Sequence, residues 1–151
     1  MNSELSINSD QADAPQITAH FFISGRDFDP AAVTSVLGVD PSEVWRQERR
    51  ELIARPDLPT VCWKHGFKKK PFVSIDDAVA EVLEAIWPLR DRVQQWLASN
   101  ATQAGIECSV SIYNERPIYE LSATTISKLS DLRCEFVLDI FDYSHDDDAD
   151  E

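Results

Sequence analysis

From residue 17 to 25 apolar and polar positions alternate. Ile17, Ala19, Phe21 and Ile23 fall on one side, and Thr18, His20, Phe22 and Ser24 on the other. A period of two predicts a strand, which Gly25 ends. Asp29 followed by Pro30 is a helix start, with the carboxylate as N-cap and the proline in the first turn. Val33, Val36 and Leu37 then step at helical spacing, and Gly38 is the stop. A short turn over 41–46 leads into extended chain. Residues 47–59, charged and carrying Pro56 and Pro59, read as a loop. Alternation returns over 60–67, where Val61, Trp63, His65 and Phe67 share a face. Lys68, Lys69, Lys70 and Pro71 form a charged turn.

The clearest pattern follows. Ser74 with Asp77 approximates a capping box. Ile75, Val79, Val82, Leu83, Ile86, Leu89, Val93, Trp96 and Leu97 step by threes and fours, which predicts an amphipathic helix to about Ser99. Pro88 lies inside it and removes one backbone hydrogen bond, so a kink or break is expected there. Gly105 falls in the next loop. Residues 107–113 alternate as a strand, and 118–121 read as a short one. Ser122 caps a helix with Ile126 and Leu129 inward. Over 133–143 both faces are partly apolar, which reads as a central strand.

These elements predict an α+β fold, an antiparallel sheet with one long and two short helices packed on it. The stretch 28–39 echoes 121–132, with a capping residue and three apolar positions in common, which suggests two duplicated strand–helix–strand halves. The organisation read from this pattern is a disordered polar segment over 1–16, one domain over 17–143 and an acidic tail over 144–151. At 151 residues the chain is long enough for one core without metal or disulfide support.

Charge changes the picture. Twenty-seven acids against 14 bases give a net charge of −13. Ten of those acids lie in 1–16 and 139–151, which hold no Lys or Arg, so 17–138 is nearly balanced. Such acidity argues against a protein that coats nucleic acid or binds anionic membranes. Cys62, Cys108 and Cys134 are widely spaced and odd in number, which reads as buried free thiols in a reducing compartment. The polar start lacks the regions of a secretion signal, and the apolar runs are too short to span a membrane. A cytoplasmic location is the expectation.

Catalytic motifs are missing from the sequence: there is no HExxH, GxSxG, P-loop or GxGxxG pattern. Cys62 and His65 are spaced as a CxxH pair but lie on a strand, where they point to opposite faces, so no metal and no cofactor are expected. Cys62, beside Lys64 and His65, is the one thiol in a basic setting, though burial is the reading preferred. His65 reads as a core histidine, and His20 as solvated or interfacial. Basic residues flanking Trp45 and Trp63 read as a solvated rim rather than a single-strand binding groove.

Gly25, Asp27, Phe28 and Pro30 form a Gly-x-Asp-Phe-x-Pro pattern, followed by Leu37, Gly38 and Trp45. Leu121, Ser122 and Ile126 form a second signature, and Asp139, Asp142 and Tyr143 close an aspartate-rich strand. Together, over about 17–143, they resemble a bacterial family of small cytosolic domains of unknown function. Members of such families look like immunity proteins of contact-dependent or polymorphic toxin systems. The resemblance implies a non-enzymatic antitoxin that neutralises a cognate toxin domain by tight binding. Its partner would be a basic protein domain, with no direct nucleic acid and no membrane. Candidate partner-binding residues are the acidic helix positions Asp76, Asp77, Glu81 and Glu84, the adjacent Trp87, and Asp142, Asp146, Asp147 and Asp148. The alternative reading is a small-molecule-binding or housekeeping domain with a pocket between helix and sheet, lined by Trp63, Trp87 or Tyr113. An unrecognised enzyme with carboxylates in a cleft is the third.

Overall fold

The computed structural model of the protein describes residues 13–47 and 54–144. In chain order the elements are strand β1 (Gln16–Gly25), helix α1 (Pro30–Leu37), β2 (Glu43–Arg46), β3 (Val61–Gly66) and β4 (Lys70–Pro71). Helix α2 (Ile75–Ile86), a 3₁₀ turn (Trp87–Leu89), α3 (Arg90–Ser99), β5 (Thr102–Ile112), α4 (Ala123–Asp131) and β6 (Cys134–Asp142) follow.

The strands form one sheet in the order β2-β3-β1-β5-β6. β4 pairs with Gln16 and Ile17 of β1, beyond the reach of β3, which pairs with His20 through Gly25. β1 and β2 run parallel with β3 between them, and β3 and β5 run parallel with β1 between them. This is the split β-α-β arrangement of ferredoxin-like sheets. The α4–β6 unit extends it, and β6 pairs with β5 in parallel, because a helical crossover returns the chain in the same direction. The sheet is therefore antiparallel except at that pair. Each short helix joins two parallel strands. β3 separates the pair joined by α1, whereas the pair joined by α4 lies side by side.

The caps form as the sequence implies. Asp29 Oδ1 accepts from the Ala31 N–H, and Gly38 takes the left-handed conformation (φ 74°) that ends α1. Ser74 Oγ accepts from Asp77 N–H, and Ser122 Oγ from Thr125 N–H. Pro88 breaks the long helix through a 3₁₀ turn. The helices cover one face of the sheet. α2 lies on β1 and β5, α1 on β3 and α3, and α4 between α2 and β6. Ile17, Phe21, Ile23, Trp63, Ile106, Val110 and Ile112 rise from the sheet to meet Val79, Leu83, Ile86 and Val93, all fully buried. Each such aliphatic side chain stabilises the fold by about 1.5–3 kcal/mol relative to exposure.

The structure departs from the sequence pattern at six places, the first being Glu43–Arg46, which is strand β2 paired with β3 rather than part of a turn. Gly105 belongs to β5 rather than to a loop, because Phe22 from β1 lies over it and takes the space a side chain would use. Lys70 and Pro71 pair with β1 instead of only turning. Ile118 makes one bridge to Ser74, not a strand, its N–H donating to Val73 O while Ile75 N–H donates to its carbonyl. Ile126 is 54% exposed, and Thr125 takes the inner position with Leu129. Thr125 can be buried because its hydroxyl pairs with Ser122 Oγ at 3.0 Å. β6 is an edge strand, not a central one. Its mixed apolar faces reflect partial cover by α4 on one side and exposure of Phe141 on the other.

Asp13 and Pro15, grouped above with the N-terminal segment, are tied to the body. Their carbonyls accept from Glu115 and Phe72 N–H groups. Residues 1–12 and the tail from 145 lie outside the described residues.

Candidate interaction surface

The α2 carboxylates divide by what they touch. Asp77, Glu81 and Glu84 follow spacings of four and three, so they share one helix face. Asp77 and Glu84 are exposed. Glu81 pairs with Lys70 Nζ at 2.6 Å and helps hold β4 to the helix. Asp76 lies at the margin and accepts the Ser122 N–H at 3.0 Å, so its carboxylate joins the start of α2 to the start of α4. Burial pushes its pKa up, but the hydrogen bonds from Ser122 and Thr125 outweigh that and leave it below its ordinary 3.8. In the unfolded chain the carboxyl returns to its ordinary value. The stabilising contribution is therefore present above pH 3.8 and disappears as pH falls through the lower folded value. Asp76→Asn is expected to flatten the acid limb of stability against pH, measured by urea unfolding at several pH values. An unchanged acid limb would remove this linkage.

Trp87 is half-buried, with the Arg90 guanidinium 5.0 Å and the Lys128 ammonium 5.3 Å from its ring. Two cations thus flank it, and its ring also packs against the core. Asp142 accepts from Arg116 Nη2 at 2.8 Å and from Ser144 N–H at 2.9 Å. Asp146, Asp147 and Asp148 lie outside the described residues. The connection 113–122 links the two acidic regions. Arg116 meets Asp142 at one end, Ile118 meets Ser74, and Ser122 meets Asp76 at the other.

One feature escaped the sequence reading. Seven of the eleven large apolar side chains exposed among the described residues lie within 113–143. They are Tyr113, Ile118, Tyr119, Ile126, Ile140, Phe141 and Tyr143. Tyr113 and Tyr143 stack at 5.5 Å between centroids. The signal was present in the two-sided apolarity of β6, which equally fits a central strand.

The helix-free face of the sheet is mixed. His20 and Phe22 stand beside a Lys64–Glu107 ion pair (3.3 Å), and Lys69 Nζ donates to Ser111 Oγ at 3.0 Å. His20 is half-buried rather than solvated, and burial first, then Lys64, lowers its pKa. Cys62 is buried, and burial pushes its thiol up to about 11 against the pull of Lys64. Native protein should therefore react with iodoacetamide at neutral pH about a hundredfold more slowly than denatured protein. Fast labelling of Cys62 in the folded chain, read by mass spectrometry, would contradict the burial.

Inside the helix–sheet layer Trp63 has no exposed surface, and its Nε1 donates to Thr34 Oγ1. That part of the layer is filled. A shallow hollow of about 320 Å³ lies elsewhere, at the end of β1, between Arg26, Pro56, Leu58 and Gln103. Among the described residues no group of three or more His, Cys, Asp or Glu side chains could hold a metal ion. No helix there is long and apolar enough to cross a membrane.

The topology and surface define a small α+β domain with a split β-α-β sheet, lengthened by one helix and one strand. The chain belongs to the family described as a domain of unknown function, DUF4279, whose model matches residues 15–143. Comparison with curated proteins and with solved structures gives no match.

Proposed function

We propose that this domain is a non-catalytic protein-binding module, a cytoplasmic immunity protein that neutralises a cognate bacterial toxin domain by occupying it. The observation that carries the reading is the concentration of exposed aromatic and aliphatic side chains within 113–143, among them the stacked Tyr113 and Tyr143, in a stretch that also holds Glu135, Asp139 and Asp142. Exposed apolar anchors interspersed with charged side chains suit protein recognition. The acidic ends favour a basic partner, and opposite charge speeds encounter. Co-expression with the C-terminal domain encoded directly upstream tests it. Rescue of growth, with a complex that survives gel filtration, is the expected result. Toxicity without rescue, or no toxicity to rescue, would overturn it.

Steering has its own test. Asp76, Glu81 and Asp142 hold the fold together, so reversing their charge mixes stability with binding. Asp77→Lys with Glu84→Lys avoids that, since both side chains are exposed. The pair is expected to slow association roughly tenfold at low salt and to reduce its salt dependence. Unchanged stopped-flow on-rates would remove the α2 face from the encounter. Small-molecule binding is the second reading. The hollow beside Arg26 favours it, and a thermal-shift screen of metabolites would detect it.

A further inference from the structure

The two edges of the sheet are built differently. β2 is short, four residues, and runs into the charged 47–59 stretch. β6 pairs with nine consecutive residues of β5, from Ala104↔Cys134 to Ile112↔Asp142, with no bulge and no proline. Among the described residues nothing pairs with its outer side. Half of its backbone N–H and C=O groups therefore point away from the sheet. Edges of natural sheets are usually blunted by charged side chains, above all lysine, by proline, by a bulge or by a covering element. The charged side chains of β6 are all acids, Glu135, Asp139 and Asp142, which repel an acidic strand but not a basic one. β6 has no lysine, proline or bulge, and it leaves Ile140 and Phe141 about half exposed (49% and 50%).

We propose that the outer edge of β6 receives an extended basic segment of the partner protein as an added strand. The proposal rests on the reading above, that this domain acts by binding a basic protein. Charge selects the occupant. Residues 134–151 hold eight acids and no Lys or Arg. A second copy of this chain would lay the same acidic row alongside and be repelled. A strand alternating Lys or Arg with apolar residues meets both faces. Its cations stand beside Glu135 and Asp139 on the helix-free face, and its apolar side chains beside Leu138 and Ile140 on the helix side. Backbone hydrogen bonds supply affinity, and the alternating side chains supply selectivity.

The test uses the full chain, ¹⁵N-labelled, and a short synthetic peptide alternating valine and lysine. Amide shifts are expected to concentrate in Cys134–Asp142. N-methylation of the peptide amides that would face β6 should weaken binding about tenfold or more, as should Glu135→Lys with Asp139→Lys. A valine–glutamate peptide should not bind. Both substituted side chains are exposed, and Phe141→Lys gives a second variant if the pair fails to fold. Shifts elsewhere, no shifts, or equal binding of the methylated peptide would overturn the proposal. So would sedimentation of the free chain as a dimer that Phe141→Lys dissolves, since the edge would then belong to a second copy. The two readings fail separately. Rescue from the toxin that survives Glu135→Lys with Asp139→Lys sinks the edge and leaves immunity standing. Peptide docking on β6 without any rescue sinks immunity and leaves the edge.

Discussion

Trp63→Ala is expected to lower the unfolding free energy by about 3–5 kcal/mol. Trp63 has no exposed surface and is among the largest fully buried side chains. Its ring meets Phe21 edge-on at 6.4 Å and stacks on His65 at 6.2 Å. Its Nε1 donates to Thr34 Oγ1 at 3.0 Å, which ties β3 to α1. Truncation removes the packing, opens a cavity and breaks that tie. Domains of this size have about 5–15 kcal/mol of stability in total, so the loss is a large share of it. Trp63→Phe separates the terms, because it keeps most of the packing and loses the hydrogen bond. Its expected cost is smaller, about 1–3 kcal/mol. Urea unfolding at neutral pH measures both. A loss below about 1 kcal/mol for the alanine variant would mean that Trp63 does not hold α1 to the sheet.

Gly105→Ala and Gly66→Ala are expected to destabilise by about 1–3 kcal/mol or more, and only the first should be rescued by a second substitution. Two residues of β1 on the helix-free face, His20 and Phe22, each stand over a glycine directly across the ladder. A Cβ on Gly105 would lie 2.4 Å from Phe22 Cζ and 3.0 Å from Glu135 O. The severe contact is with a side chain, so Phe22→Ala makes room for it. A Cβ on Gly66 would lie 2.4 Å from His20 Cδ2 and also 2.5 Å from the backbone carbonyl of Ala19. That oxygen belongs to the central strand and cannot move cheaply, so His20→Ala should not restore stability. Double-mutant cycles in urea read the difference. Strong coupling at Phe22/Gly105 with little at His20/Gly66 is the expected pattern. Equal rescue at both sites would contradict the geometry.

The candidate surface was legible in part. The α2 carboxylates lie where helical spacing puts them, with Asp77 and Glu84 outward. Their jobs were not readable. That Asp76 would cap the backbone of Ser122, forty-six residues on, depends on α2 and α4 being neighbours. Glu81 meets Lys70 only because β4 returns along β1 beside α2. The exposure of Ile140 and Phe141 depends on β6 being an edge, and a strand's own residues do not say how many neighbours it has. Apolar side chains on both faces suit a covered central strand and an edge awaiting a partner equally well.

The fold divides along the same line. Local chemistry determined β1, α1, the Pro88 break and all three serine or aspartate caps, because each follows from residues within one turn or one alternation. Asp29, Pro30 and Gly38 bound α1 by their own backbone preferences. Only the tertiary structure decided that Gly105 is in a strand, that Thr125 rather than Ile126 faces in, and that β6 runs parallel at the rim. Each of those is set by a residue distant in sequence: Phe22 over Gly105, α2 against α4, and the α4 crossover that lays β6 on β5. Pairing and burial are properties of the assembled sheet. The period of a segment fixes which side chains share a face, and the neighbours that arrive from elsewhere in the chain fix what that face meets.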